Sequence, residues 1–316
     1  MKLLITGIAG FIGSSLARRL VERGDTVLGI DNFDAFYSRA TKEKNLESLR
    51  PHIEFTEGDI TDRAALDTLL ARGNVDCVVH LAALAGVRPS IRTPWRYSHV
   101  NVVGTAHVAE AMVAHGVGRL VFASSSSVYG NNTDVPYCET QRVDDPASPY
   151  AATKRAGELL LDTFSQLHGL STAALRYFTV YGPRQRPEMA IHKFCRSIDR
   201  GEPITVYGDG QSSRDYTFID DIVDGTLGAI DSTLHGCRLY NLGGTSPIRL
   251  DGLVQALGRA LGKEPIVLRE PHQPGDVLQT WADVSRARDE LGYVPKIPLH
   301  EGLTRFAAWM RGETEW

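Results

Sequence analysis

The chain has 316 residues, 42% of them apolar, and a net charge of −4. That is enough apolar material for one large domain or two modest ones, and it excludes a disordered chain. The small negative charge, with no long basic run, argues against a nucleic-acid groove or a polybasic membrane surface, yet leaves room for a few local donors to an anionic small molecule.

Short apolar strands alternate with helical patterns through the first half. Strands are expected at 2–6 (KLLIT), 26–31, 53–59, 76–82, 119–125 and 171–178, and helices at 11–23, 62–72, 94–115 and 149–168. Strands that are apolar throughout, separated by helices, predict an α/β fold: a doubly wound parallel sheet covered on both faces. After about residue 179 Pro and Gly become frequent. DYTFIDDIVDGTLGAI again reads as strand then helix, and two helices follow at 251–261 and 299–311. The expected plan is a nucleotide domain, 1–178 and 213–243, and a smaller discontinuous domain, 179–212 and 244–316, with a cleft between them.

Cys77, Cys138, Cys195 and Cys237 form no CxxC and have no His or Cys at ligand spacing beside them. Packed thiols in a reducing compartment, and no metal, are expected. The N-terminus MKLLITGIAGF reaches glycine too soon for a signal peptide, and no apolar run approaches membrane-spanning length. The expectation is a soluble cytoplasmic protein.

Gly7, Gly10 and Gly13 follow the first strand and open the first helix. There Gly7 permits a tight turn and Gly10 lets backbone amides approach a pyrophosphate on the helix N-terminus. Gly13 lets helix and sheet pack closely. Asp31 ends the second strand, where a carboxylate accepts both hydroxyls of an adenosine ribose and repels a 2′-phosphate, which favours NAD over NADP. The plainer alternative for Asp31 is a strand-end turn residue. Asp59, closing the third strand, is placed to reach the adenine.

Tyr150 and Lys154 form YxxxK, a pair on one helix face. A free tyrosine titrates near ~10, too high for a base at neutral pH. A neighbouring ammonium and a positive nicotinamide lower it. The alternative is a surface Tyr–Lys pair.

GxxGxxG (7–13), HLAA (80–83), NVVGT (101–105), SSSSVYG (124–130), SPYAATK (148–154), RYFTVYGP (176–183), RDYTFIDDIV (214–223) and YNLGG (240–244) stand in one order along the chain. In that order and spacing the sequence resembles the extended short-chain dehydrogenase/reductase family of NAD-dependent epimerases and dehydratases. The resemblance implies a catalytic group of Ser125, Tyr150 and Lys154. It also implies an NAD site of Gly7, Gly10, Phe11, Ile12, Gly13, Asp31, Asn32, Asp59, Ile60, Leu81, Ala82, Ala83, Asn101, Tyr150, Lys154 and Tyr177. For Asn101 a structural role, packing or bonding between strands, stands beside a catalytic one. Related dehydratases and decarboxylases place an Asp or Glu just after the catalytic Ser/Thr, to protonate a departing hydroxyl. Here Ser126 and Ser127 hold those places, so the chemistry is expected to stop at hydride transfer and its reversal.

AGVRPSI (85–91) and RYFTVYGPRQRPEMAIHKF (176–194) resemble UDP-glucuronate 4-epimerases. The resemblance carries a sugar carboxylate to Arg186, helped by Thr179 and Ser127, with Arg184 as the alternative fork. It places the UDP-sugar on Ser125 and Tyr150 as well, with the diphosphate on Arg214, the uridine ribose on Asp276, and Lys193 and Val206 lining the uracil pocket. UDP-glucose epimerases often carry an Arg where this chain has Gln273, a contact that Arg88 replaces. Two rivals remain. One is a neutral-sugar epimerase for UDP-glucose or UDP-N-acetylglucosamine. The other is a non-catalytic nucleotide sensor, which would have lost the Tyr–Lys pair. The helices at 94–115 and 149–168 carry apolar residues beyond what one sheet face needs, and resemble the pair through which the family makes a homodimer.

Overall fold

The computed structural model describes residues 1–233, 235–271 and 277–314. Six apolar segments of the first half become β1 Lys2–Thr6, β2 Thr26–Asp31, β3 Ile53–Glu57, β4 Cys77–His80, β5 Arg119–Ser125 and β6 Ser171–Tyr177. Between them lie α1 Phe11–Glu22, α2 Arg39–Glu47, α3 Arg63–Leu70, α4 Val87–Arg92, α5 Pro94–Ser98, α6 Gly104–Ala114 and α7 Pro149–His168. The later strands are β7 Thr179–Tyr181, β8 Ile204–Tyr207, β9 Ser213–Arg214, β10 Tyr216–Phe218, β11 Cys237–Leu242, β12 Ile248–Arg249 and β13 Val267–Glu270. The later helices are α8 Ala190–Arg200, α9 Ile219–Asp231, α10 Leu250–Leu261, α11 Ser285–Leu291 and α12 Leu299–Met310.

One seven-stranded sheet runs in the order β11-β6-β5-β4-β1-β2-β3. Every pair in it is parallel. A sheet of this kind must bury both faces. Leu16, Leu20, Ile222 and Val223 pack on one side, and Leu66, Val108, Met112 and Leu161 on the other. The strand order reverses between β1 and β4, so a crevice opens there at the carboxyl ends of the strands.

The strand read at 216–218 does not join this sheet. It pairs with β7 as a separate parallel ribbon, and β11 takes the edge beside β6 instead. Two more ribbons, β9–β12 and β8–β13, lie in the later half. The helix expected across 94–115 is interrupted by a π-helical turn at His99–Val103. The wide turn contains the buried Asn101. No helix among the described residues is long and apolar enough to cross a membrane.

A buried polar chain fixes the crevice floor. Thr6 Oγ1 accepts from Ala82 N at 3.1 Å and lies 2.7 Å from His80 Nδ1. His80 Nε2 lies 3.0 Å from Thr105 Oγ1, whose hydroxyl donates to the Asn101 carbonyl at 2.6 Å. Thr105 has only one proton, already spent on Asn101, so Nε2 carries the imidazole proton and Nδ1 accepts from Thr6. The chain ties β1, β4, the segment after β4 and the π turn together.

Burial, aided by the Lys154 charge, lowers the His80 pKa from 6.5 to about 3. The unfolded chain therefore binds a proton that the native state refuses between those values. Stability from the neutral imidazole is complete above about 6.5 and drains away as pH falls toward 3. We expect unfolding free energy between pH 6 and 5 to fall about 1.4 kcal/mol per pH unit more steeply in the wild type than in His80→Gln. Parallel slopes in denaturant titrations would contradict the assignment.

Candidate active site

A cavity of about 510 Å³ lies in the crevice. Its walls include the glycine turn, the ends of β2, β4 and β5, the α7 N-terminus and the segment 177–189. Sixteen residues were expected to hold NAD, and all but Asn101 line it.

The cofactor arm is shaped by what glycine omits. Gly7 has φ +73, and a Cβ there would meet Ala82 N at 2.7 Å. A Cβ on Gly13 would lie 2.3 Å from the Gly7 carbonyl oxygen. A Cβ on Gly10 would stand 4.0 Å from the Tyr37 hydroxyl, which is buried without a hydrogen-bond partner. An orphan donor over a glycine turn at a helix N-terminus suits a phosphate oxygen. Asp31 Oδ2 accepts from Ala9 N at 3.1 Å and Oδ1 from Phe33 N at 2.8 Å, which orients the carboxylate in the wall. Burial raises its pKa, and the Lys42 ammonium 3.7 Å away works against that rise. Asn32 donates to Asp59 at 2.7 Å, joining the segments that follow β2 and β3. These residues fit NAD.

Asn101 stands behind the wall. Its amide accepts from Leu84 N at 2.8 Å and donates to Leu84 O at 2.9 Å and to Thr153 Oγ1 at 3.0 Å. With those bonds made it ties the segment after β4 to α7, as its structural alternative expects.

The catalytic arm joins β5 to α7. Ser148 caps α7 through Ala151 N, with Pro149 at the first turn. Tyr150 and Lys154 then face the cavity one turn apart. Burial raises the Tyr150 pKa, while a hydrogen bond with Ser125 and the Arg186 charge pull it down. Lys154 Nζ donates to the Ala123 carbonyl at 2.7 Å, and burial lowers its pKa to about 7 despite Glu158. The ammonium expected to act on Tyr150 donates instead to the backbone in this structure. Ser125 Oγ accepts from Ser127 N at 3.2 Å and lies 3.0 Å from Ser127 Oγ.

At the substrate end Ser127, Thr179 and Arg186 line the cavity. Arg184 does not: it is buried, has φ +67, and burial with the Arg18 charge lowers its pKa to about 10. The structure therefore separates the two candidate forks. Four other expected substrate residues lie off the wall. Val206 is fully buried in the core, and Lys193 is exposed on α8. Arg214 Nη1 donates to Ser213 O at 2.8 Å. Arg88 is stacked 5.0 Å over the Tyr207 ring. Asp276 and Gln273 lie outside the described residues. Tyr37, Lys42 and Gln185 line the cavity without having been foreseen. Lys42 and Asn45 share the buried face of α2 with Leu46, so that face is largely polar and escapes hydrophobic periodicity.

A parallel sheet with a glycine-turn dinucleotide site and a Ser–Tyr–Lys group at its carboxyl edge defines a short-chain dehydrogenase/reductase of the extended type. The chain belongs to the NAD dependent epimerase/dehydratase family, whose sequence profile matches residues 3–243. It is 41% identical to a UDP-glucuronate 4-epimerase of Thermodesulfobacterium geofontis, covering 99% of this chain and 97% of that one. The UDP-glucuronic acid 4-epimerase of Bacillus cereus, solved with UDP-glucuronic acid and NAD, superposes with a TM-score of 0.93 at 34% identity, over 99% of this chain and 100% of that one. The UDP-glucose 4-epimerase of Thermotoga maritima, solved with UDP-glucose, gives 0.91 at 33% identity and full coverage of both chains.

Tyr150→Phe should keep cofactor and lose turnover. The ring stays edge-on to Tyr97, with centroids 6.3 Å apart, and only the proton acceptor goes. Mass spectrometry of the denatured variant should find NAD at the wild-type ratio, with the rate down roughly 10²- to 10⁴-fold. A variant retaining more than about a tenth of the rate would show that Tyr150 is not the base.

Proposed function

We propose that the enzyme interconverts UDP-glucuronate and UDP-galacturonate, an isomerase acting at C4 through a 4-keto sugar without decarboxylation. The observation that carries this reading is Arg186, a cation on the wall of the same cavity that Ser125 and Tyr150 line. A guanidinium there is a fork for a carboxylate next to the reacting carbon. Segments 1–178 and 213–243 would hold the cofactor, and 179–212 and 244–316 the UDP-sugar.

Tyr150 takes the O4 proton while Ser125 holds that oxygen. NAD, when bound, supplies the acceptor for the C4 hydride and returns it. Lys154 would hold the nicotinamide ribose. The keto sugar turns over in the cavity so that the other face of C4 is presented for the returning hydride, and Tyr150 gives the proton back to O4. Elimination would need an acid beside Ser125, and Ser126 and Ser127 supply only hydroxyls.

Oxidised at C4, the sugar is a β-keto acid, which loses carbon dioxide when the breaking bond aligns with the carbonyl π system. Arg186, with hydroxyls from Ser127 and Thr179, holds the carboxylate out of that alignment. Arg186→Ala should weaken UDP-glucuronate binding about 10- to 100-fold, the range of a charge-assisted hydrogen bond, and affect UDP-glucose far less. Ser127→Ala and Thr179→Ala should leak UDP-4-keto-pentose. Equal losses on both sugars with no decarboxylated product would favour a neutral-sugar epimerase.

The homodimer is also proposed. Trp95, Val103, Val113, Leu159 and Leu167 are large apolar residues on or beside α5–α7, each more than a third exposed. A second copy packed on that face would cover them. Sedimentation should give twice the chain mass at micromolar concentration; a monomer would refute it.

A further inference from the structure

Arg186 is folded back on its own turn, which Met189 N closes onto Arg186 O at 3.2 Å. Nη1 lies 3.2 Å from Glu188 Oε1. Nη2 is 3.5 Å from Met189 Sδ, and the guanidinium lies 5.3 Å over the Phe36 ring. None of these is a strong directed bond. Glu188 Oε1 is buried and has no hydrogen-bond partner, so its contact with Arg186 is an ion pair without hydrogen-bond geometry. A thioether is a weak acceptor, and a ring face attracts a cation with little direction. The guanidinium is compensated in charge, and its donor fork is left largely unused.

We propose that Glu188 is an internal carboxylate that competes with the sugar carboxylate for Arg186 and so sets the preference between acidic and neutral UDP-sugars. The proposal rests on Arg186 being the carboxylate site. Glu188, tethered two residues away, meets the fork with one oxygen at poor angle. A free sugar carboxylate meets it with two. Exchange of one carboxylate for the other keeps Arg186 neutralised throughout. A neutral sugar offers nothing in exchange, so Glu188 stays paired with Arg186.

This predicts a gain of affinity on removing a charge, the reverse of what loss of a merely structural contact produces. The test is calorimetric binding and steady-state kinetics of the full chain with UDP-glucuronate and UDP-glucose, for wild type, Glu188→Gln, Glu188→Asp and Arg186→Ala. Glu188→Gln should bind UDP-glucuronate about two- to fivefold more tightly, the range expected when a partly exposed ion pair stops competing. Its acid-to-neutral ratio of kcat/KM should rise by a similar factor. Glu188→Asp, which keeps the charge, should stay near wild type. Unchanged or weaker UDP-glucuronate binding by Glu188→Gln would overturn the proposal. If the wild type prefers UDP-glucuronate and Arg186→Ala abolishes that preference, such a result removes Glu188 alone. If Arg186→Ala loses both sugars alike, the carboxylate site itself is wrong and Glu188 falls with it.

Discussion

Glu158 is a carboxylate buried to 1% exposure between the sheet and α7, and the active-site geometry hangs on it. Arg176 on β6 binds it through Nε at 2.8 Å and Nη2 at 2.9 Å. Arg155 reaches it at 3.1 Å, and the Ser124 hydroxyl on β5 donates to it at 2.6 Å. One carboxylate therefore pins the helix carrying Tyr150 and Lys154 to the two strands beneath it. Breaking such a pair from one side leaves an uncompensated buried charge, at a cost of about 3–5 kcal/mol. Neighbouring bonds follow the same line: Lys154 reaches the carbonyl of Ala123, and Ser125 then emerges at the strand end facing Tyr150.

The four consecutive serines acquire separate duties from this arrangement. Ser124 points to the α7 side and belongs to the Glu158 pin. Ser125, the last residue of β5, meets Tyr150 at the first turn of α7. The 3₁₀ turn Ser126–Tyr129 then brings Ser126 and Ser127 to the cavity wall. On the proposed reading, a hydroxyl at 127 would give a hydrogen bond without a charge, where an acid would repel a substrate carboxylate and support elimination.

Much of this was legible because it is local. The glycine turn, Asp31, the YxxxK pair and the serine run each encode their geometry within a few residues, and they come together on the cavity wall. The sheet was legible because parallel strands are apolar throughout. What escaped depends on partners distant in sequence. Helix α2 buries Lys42 and Asn45, which bind Asp31 and the Ala9 carbonyl, so its inward face reads as solvated. Asn101 lies within the π turn, whose bonds to Leu84 and Thr153 no local pattern records. Arg184 and Arg186 are indistinguishable as letters two apart; a positive φ at 184 turns one inward and leaves the other on the cavity. The edge place of β11, far along the chain from β6, is set by packing that no local pattern records.

The central claim is that this cavity inverts C4 of an acidic UDP-sugar and keeps its carboxylate. The most direct measurement is proton NMR of purified enzyme incubated separately with UDP-glucuronate, UDP-galacturonate and UDP-glucose, reading the C4 configuration from the ring couplings. The account predicts that the two uronates reach the same mixture from either side, with no pentose signal, and that UDP-glucose converts far more slowly. Unchanged UDP-glucuronate beside rapid conversion of UDP-glucose would contradict it.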